Sequence, residues 1–120
     1  MGPRLRRTRY ASGIMSETAI MIAIRDAVLT TRRALLWRNN VGRARMGAAW
    51  VQFGLGVGSA DLIGVLKPSG RGFALEVKTA TGRLSPEQIA WHRAWSEAGG
   101  FVACVRSVEE ALRALEEACR

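Results

Sequence analysis

The 120-residue sequence has little histidine and cysteine, and these shortages exclude metal sites built from those two residue types. A single histidine and two cysteines are too few for a four-ligand zinc site. Cys104 and Cys119 are therefore expected to be reduced thiols. No apolar run reaches the length of a membrane span, and the basic N-terminus lacks the apolar stretch of a signal peptide. We therefore expect no membrane partner and a cytoplasmic location.

Lysine is also scarce, although the chain is strongly basic. It has a net charge of +8 from 18 basic and 10 acidic residues, and only Lys67 and Lys78 are lysines. A basic balance of this size favours a polyanionic partner, with nucleic acid first and a membrane surface second. Half of the net charge lies in residues 1–14, which contain no acid and show no clear period. The arginines of this segment are Arg4, Arg6, Arg7 and Arg9.

The pattern predicts a flexible basic arm over residues 1–14 and one domain over residues 15–120. Met15 is an alternative start, so whether the arm is native stays open. Apolar spacing and serine N-caps at Ser16, Ser85 and Ser107 predict three helices. Strands are predicted at 34–40, 61–68, 72–79 and 101–106, and a hairpin or mobile loop at 41–60. The expected fold class is α/β, with a mixed central sheet flanked by helices and a core order of α-β-β-β-α-β.

The stretch "FALEVKT" (73–79) places an acid and a base on one face of a strand. Glu76 and Lys78 are two residues apart, so their side chains leave the same face about 7 Å from each other. If the strand is paired with 61–68 about a turn centre near 69–70, Asp61 lies roughly opposite Lys78. Two carboxylates beside a lysine suit a hard cation such as Mg²⁺ or Mn²⁺.

A plainer interpretation makes Glu76 and Lys78 the solvated outer face of an edge strand. The run "FALEV" is too apolar for an edge, which favours a functional role. The residue choice also favours it, because this chain uses arginine at 16 of its 18 basic positions. A lysine at position 78 indicates that a compact ammonium group is needed there.

The spacing of "SAD" (59–61) and "EVK" (76–78) resembles the PD-(D/E)xK nuclease superfamily. The proline that often precedes the aspartate is Ala60 here. The segments "GVGSADLIGV" and "GRLSPEQIAWHRAWSEAGGFVACVRSVEEAL" resemble the VRR-NUC family, over about residues 16–112, and the likeness is to its small stand-alone members of the phage type. The resemblance implies a restriction-endonuclease-like core and assigns catalysis to Asp61, Glu76 and Lys78.

The same resemblance implies a wider set of ligands and catalytic residues. The metal would be bound by Asp61, Glu76 and the Val77 carbonyl, with Glu17 as a further ligand acting through water. Gln88 is a further catalytic candidate. Glu17 could instead be a favourable acid in a first helical turn, and Gln88 could satisfy its amide by capping a loop.

Three aromatic side chains of the same predicted helix need separate consideration. Trp91 and Trp95 are expected in the core, on one stripe of the helix. His92 lies off that stripe and is expected to be solvated.

The resemblance implies a metal-dependent DNA endonuclease, in a bacterial or phage-infected host cell, and leaves open whether it selects branched DNA such as a junction or flap. A homodimer is the expected assembly. DNA contacts are expected from Arg43, Arg45 and Asn40, besides the arginines of the arm; plainer interpretations are a solvated charge run and a turn. Two alternatives stay open: a non-catalytic basic DNA-binding protein with a nuclease fold, and a nuclease subunit of a larger assembly.

Overall fold

The computed structural model of the protein describes residues 16–120. The elements are α1 (Glu17–Thr30), β1 (Ala34–Arg38), β2 (Gly42–Met46), β3 (Ala49–Phe53), β4 (Leu62–Leu66), β5 (Gly72–Val77), α2 (Pro86–Glu97), β6 (Phe101–Val105) and α3 (Val108–Ala118). The predicted core order α-β-β-β-α-β is confirmed by α1, β1, β4, β5, α2 and β6. A hairpin, β2–β3, is inserted into this order, and α3 follows it. Four arginines of the predicted arm, Arg4, Arg6, Arg7 and Arg9, lie outside the described residues.

Three serines begin the three helices, as predicted. The Oγ atoms of Ser16, Ser85 and Ser107 accept hydrogen bonds from the backbone N–H groups three residues later, each at 3.1 Å. These bonds satisfy N–H groups that have no partner inside the helix. At α2 the cap is reciprocal, because the Gln88 side chain accepts a hydrogen bond from the Ser85 backbone N–H at 2.9 Å.

Four strands form a mixed sheet in the order β1-β4-β5-β6, which confirms the α/β class and agrees with a restriction-endonuclease-like core. β1 and β5 each pair antiparallel with β4, and β5 pairs parallel with β6. β5, which carries Glu76, therefore lies inside the sheet. The alternative interpretation of Glu76 as part of a solvated edge strand is wrong.

The two faces of the sheet have different contents. Leu62, Phe73, Leu75 and Val77 pack with apolar residues of α1 and α3 in the larger core cluster. On the other face, Ala60, Ile63 and Ala74 form a smaller cluster against Trp91 and Trp95 of α2. Because side chains alternate along a strand, Glu76 shares the α2 face with Ala74. The polar groups of interest therefore lie under α2.

The hairpin β2–β3 is a separate two-stranded sheet, with Arg45 opposite Trp50. Every one of its strand residues except Gly42 is exposed. A Cβ at Gly42 would lie 2.7 Å from Cζ of Phe53, so a larger residue here would require the exposed Phe53 ring to move. Of the two possibilities predicted for this segment, a hairpin and a mobile loop, the structure shows the hairpin. None of the helices in residues 16–120 has the length and apolar character required to cross a membrane.

Candidate active site

Asp61 lies at the start of β4 and is held at both its backbone and its side chain. Its Oδ2 accepts a hydrogen bond from the Val77 backbone N–H at 2.8 Å, which ties it to the end of β5. Its carbonyl oxygen accepts a hydrogen bond from the backbone N–H of Asn39 at 2.7 Å. The carboxylate is therefore fixed against the strand that carries Glu76.

Asn39 holds the loop that leads into Asp61. Its Nδ2 donates to Ser59 Oγ at 2.7 Å and to the Ala60 carbonyl at 2.9 Å. Its Oδ1 accepts a hydrogen bond from the Leu55 backbone N–H at 3.4 Å. No local pattern indicates this role, because Asn39 follows the edge strand β1 and contacts residues about twenty positions away.

Glu76 is the most deeply buried charged residue of the described chain, with 1% of its surface exposed. Burial raises the pKa of Glu76 to about 9; a hydrogen bond with Asp61, the charge of Asp61 and the weaker charge of Glu17 act in the same direction, and Lys78 opposes them. The carboxyl of Asp61 therefore acts strongly on the buried carboxyl of Glu76. One oxygen, Oε1, is buried without a hydrogen-bond partner.

The pairing of β4 with β5 corrects one prediction. Leu62 is opposite Leu75. When this register is continued by one residue, Asp61 lies opposite Glu76 and not opposite Lys78. The turn between the strands is displaced, because Leu66 accepts a hydrogen bond from Gly70 N and donates one to the Arg71 carbonyl. The shift brings the two carboxylates together as a cross-strand pair, for which Cβ separations are typically about 5 Å.

Lys78 follows β5 and leaves the same face as Glu76. Its backbone N–H donates to the Val105 carbonyl at 3.1 Å, which anchors it to β6. The side chain is half-buried, and its charge lowers the pKa values of both Glu76 and His92. The structure therefore brings Asp61, Glu76 and Lys78 to one end of the sheet, as the sequence predicted.

Glu17 and Gln88 differ in their relation to this cluster. Glu17 is exposed in the first turn of α1, and its negative charge still contributes to the raised pKa of Glu76. The side-chain oxygen of Gln88 accepts the capping hydrogen bond from the Ser85 backbone N–H. The plainer interpretation of Gln88, a cap, thus describes its contact in the structure.

His92 is not solvated, so that prediction is wrong. Its side chain is 15% exposed, and Nε2 lies 3.9 Å from Glu76 Oε1. The stacked rings of Trp91 and Trp95 pack on the small cluster of the sheet, which turns the neighbouring His92 toward the polar end of the same face. Burial lowers the pKa of His92, and Lys78 lowers it further.

The predicted DNA-contacting arginines lie on the hairpin. The guanidinium groups of Arg43 and Arg45 lie over the Trp50 ring, at 5.5 and 6.0 Å from its centroid. Asn40 is exposed just before the hairpin. Two arginines that the sequence did not single out, Arg83 and Arg106, line a cavity of about 440 Å³ with residues 80–82, directly after Lys78.

The carboxylate pair fits a hard divalent cation. The two carboxyls converge at one end of the sheet, and the burial of Glu76 makes their combined charge costly unless it is compensated. Within residues 16–120, no cluster of three or more Asp, Glu, His or Cys side chains could by itself hold a metal. One or two carboxylates completed by backbone oxygens, waters and substrate phosphate are the usual Mg²⁺ ligands. Asp61, Glu76 and the Val77 carbonyl are therefore the candidate ligands, with Glu17 nearby.

Comparison with known protein families gives one match. The model of a family described as the VRR-NUC domain matches residues 15–109. This span contains Glu17, Asp61, Glu76, Lys78 and Gln88. No curated protein matches the chain significantly.

Proposed function

The chain belongs to the VRR-NUC family of nuclease domains, and on this premise we propose that it is a metal-dependent endonuclease that hydrolyses DNA phosphodiester bonds. The observation that carries the proposal is the pairing of Asp61 with the buried Glu76, with Lys78 on the same face. A purely structural role for this trio is disfavoured, because burying two adjacent carboxyls costs stability unless their charge is compensated.

The cation would be Mg²⁺ or Mn²⁺, held by Asp61, Glu76 and the Val77 carbonyl, with Glu17 acting through a water. When bound, it would supply Lewis acidity at the scissile phosphate and would offset the charge of the carboxylates. The fit rests on the convergence of the two carboxyls at the end of the sheet. The raised pKa of Glu76 agrees with it, because a metal that binds to a protonated acid displaces the proton.

Lys78 would act on the attacking water and on the phosphate. Its ammonium group leaves the strand beside Glu76, and no acidic side chain of residues 16–120 forms an ion pair with it. The Nζ protons are thus available to orient the water by hydrogen bonding and to offset the charge of the phosphate oxygens. Gln88 would act from the first turn of α2, although its carbonyl oxygen is engaged in the cap.

DNA would be bound by arginines on both sides of the site. The hairpin face made by Arg43, Arg45 and Trp50 combines guanidinium groups with an exposed aromatic ring, which suits phosphate contact and base stacking. Asn40 is exposed just before this hairpin, and Arg83 and Arg106 line a cavity with residues 80–82, which follow Lys78 closely in the chain. The arginines of residues 1–14 would add contacts that do not depend on sequence.

The opposite face of the hairpin would bind a second copy of the chain. Register places the following side chains on this face: Ala44, Met46, Ala49, Val51 and Phe53. Met46, Val51 and Phe53 are exposed, and the face carries no charge, so it lacks the cationic groups that bind phosphates. An isolated two-stranded hairpin is marginal in water and gains stability when its apolar face is covered. Sedimentation should show a dimer for the wild type and a monomer for Met46→Ser/Phe53→Ser.

A symmetric dimer presents two identical sites, and paired cuts are what a four-way junction requires. We therefore propose a preference for branched DNA, in the cytoplasm of a bacterial or phage-infected cell. A panel of single-stranded, linear duplex, flap and four-way junction substrates, each with Mg²⁺ and with Mn²⁺, tests the activity and its preference. Tight binding of these DNAs without any cleavage would instead support a non-catalytic DNA-binding protein or a subunit that needs a larger assembly.

A further inference from the structure

Two buried polar atoms of the site face each other without a hydrogen bond. Glu76 Oε1 and His92 Nε2 are both inaccessible to water, neither has a partner, and they lie 3.9 Å apart. Buried polar atoms in folded proteins are nearly always paired, so two that remain unpaired and adjacent need an explanation. Closing the gap by about 1 Å would give an ordinary N–H···O hydrogen bond.

The helix segment that carries His92 is fixed by its two tryptophans, Trp91 and Trp95. Trp91 and Trp95 stack with ring centroids 4.8 Å apart and pack on Ala60, Ile63 and Ala74. The Trp95 indole N–H donates to the Phe101 carbonyl at 3.0 Å, which ties α2 to β6. The helix that carries the imidazole is therefore fixed over this face of the sheet, with His92 Nε2 3.9 Å from Glu76 Oε1.

The charged groups that act most strongly on the Glu76 carboxyl are Asp61 and Lys78, and neither is hydrogen-bonded to its Oε1. Asp61 is its neighbour on the cation side, but Asp61 carries the same charge when both are ionised. An ionised Glu76 needs a donor on its buried Oε1, and a buried nitrogen without a partner, Nε2 of His92, lies 3.9 Å from it. Groups that hydrogen-bond to a metal-ligating side chain orient it and typically change metal affinity about 10–100-fold.

We propose that His92 is a positioning residue, whose Nε2–H donates to Glu76 Oε1 and fixes the carboxylate in the orientation that binds the cation. The inference rests on the proposed function, since it gives His92 a role toward the same cation. It assigns no proton transfer to His92, which remains neutral throughout. The sequence alone did not indicate this role.

The experiment uses the fact that His92 is the only histidine of the chain. In untagged, ¹⁵N-labelled protein, the imidazole signals belong to His92 without further assignment. The proposal predicts the Nε2–H tautomer, and it predicts that Mg²⁺ shifts the Nε2 signal in the wild type but not in Glu76→Gln. A doubly protonated ring, or an Nε2 that bears no proton when Mg²⁺ is bound, would overturn it.

Mg²⁺ binding measured by calorimetry without DNA gives the second readout. His92→Phe fills the same space without a donor and should weaken Mg²⁺ binding about 10–100-fold. His92→Gln keeps an N–H donor and should recover much of this loss. Equal affinity in the wild type and both variants would overturn the positioning role while leaving the proposed nuclease intact. A wild type that binds no Mg²⁺ would contradict the proposed function itself.

If His92→Phe does not fold, His92→Gln and the wild-type spectra decide the question alone. Recovery in His92→Gln together with the Nε2–H tautomer supports the proposal. A His92→Gln protein that folds but binds Mg²⁺ as weakly as Glu76→Gln contradicts it, because a retained donor should preserve the orientation of the carboxylate.

Discussion

Glu76 carries the chemistry of the proposed site, because its environment opposes its charge. It is buried in a central strand beside a second carboxyl, and its pKa is raised to about 9. A protein that needed only stability would be served better by an apolar residue at this position. The cost of keeping a carboxyl here is understandable if a cation replaces the proton during function.

Glu76→Gln should alter the pH dependence of stability in the metal-free protein. The folded pKa lies above the usual value of 4.5, so the protonated form stabilises the fold fully below pH 4.5, and this contribution is lost as pH rises toward 9. Relative to Glu76→Gln, the unfolding free energy of the wild type should fall by up to about 1.4 kcal/mol per pH unit between pH 5 and 9. Urea unfolding in EDTA at several pH values measures this. Parallel curves for the two proteins would show that Glu76 is not held protonated.

Substitutions of Lys78 should separate a compact ammonium from mere positive charge. Lys78→Ala should reduce the cleavage rate at saturating DNA roughly a hundredfold or more, as expected when an acid–base or water-orienting group is removed. Lys78→Arg should show a similar loss of cleavage rate, because the planar guanidinium is larger and arranges its donors differently. Mg²⁺ affinity should change little in either variant.

Lys67→Ala is the matched control for these variants, since Lys67 is the only other lysine and lies at the opposite end of the sheet. It should retain wild-type turnover. Near-normal turnover of Lys78→Arg would reduce Lys78 to a phosphate-binding charge.

The sequence predicts which residues belong to the candidate site better than it predicts which residues they contact. Asp61, Glu76 and Lys78 could be found because their spacing and chemistry are local to two neighbouring strands. The exact partner of Asp61 could not be found, because the turn at 67–71 displaces the register by two residues. His92 was missed because the rotation of α2 is set by tryptophan packing on the sheet, which no local pattern encodes.

The hairpin β2–β3 makes no strand pairs with the main sheet, so the fold alone does not explain its function. It lies outside the main sheet and exposes two chemically different faces. The serine caps followed from the sequence, because a cap is set by a few adjacent residues. For residues 41–60 the sequence left two possibilities open, a mobile loop and a hairpin. The separation of the hairpin from the core could not be predicted, since the same Gly- and Arg-rich segment also suited a loop.

Removing the two hairpin arginines should weaken DNA binding by an electrostatic route. Arg43→Gln/Arg45→Gln should lower affinity and flatten the slope of log affinity against log salt by about 0.9 for each phosphate that is no longer neutralised. Lys67→Gln/Arg120→Gln removes the same charge at the far end of the sheet and serves as the control. Fluorescence anisotropy across a salt series measures both. An equal drop in affinity for the two double variants would indicate that only net charge matters.

Across the whole molecule, the positive charge is distributed unevenly along the chain. Residues 59–120 hold eight basic and eight acidic residues, so the net charge of +8 comes entirely from residues 1–58. The first fourteen residues, outside the described part of the chain, supply half of it. An arrangement of this kind steers a polyanion toward the basic part of the chain before any specific contact forms.

Deleting residues 1–14 should lower DNA affinity and leave the chemical step unchanged. Four arginines are removed, so the salt slope should flatten by up to about 0.9 for each phosphate that they neutralise. Single-turnover cleavage at saturating DNA should stay within about twofold of the full chain, because the trio at 61, 76 and 78 is retained. An unchanged salt slope would exclude the arm from DNA binding, and a large fall in the single-turnover rate would place part of the catalytic machinery within it.

Plasmid cleavage is the decisive assay for Asp61 and Glu76 as the cation site of a nuclease. Supercoiled DNA is incubated with the purified wild type, Asp61→Asn and Glu76→Gln, each with Mg²⁺ and with EDTA, after circular dichroism has shown that all three are folded. Nicked and linear products are expected only for the wild type with Mg²⁺, with a fall in rate of at least about a hundredfold in both variants. Cleavage that persists in EDTA, or a folded Asp61→Asn or Glu76→Gln protein that cuts at the wild-type rate, would contradict this assignment.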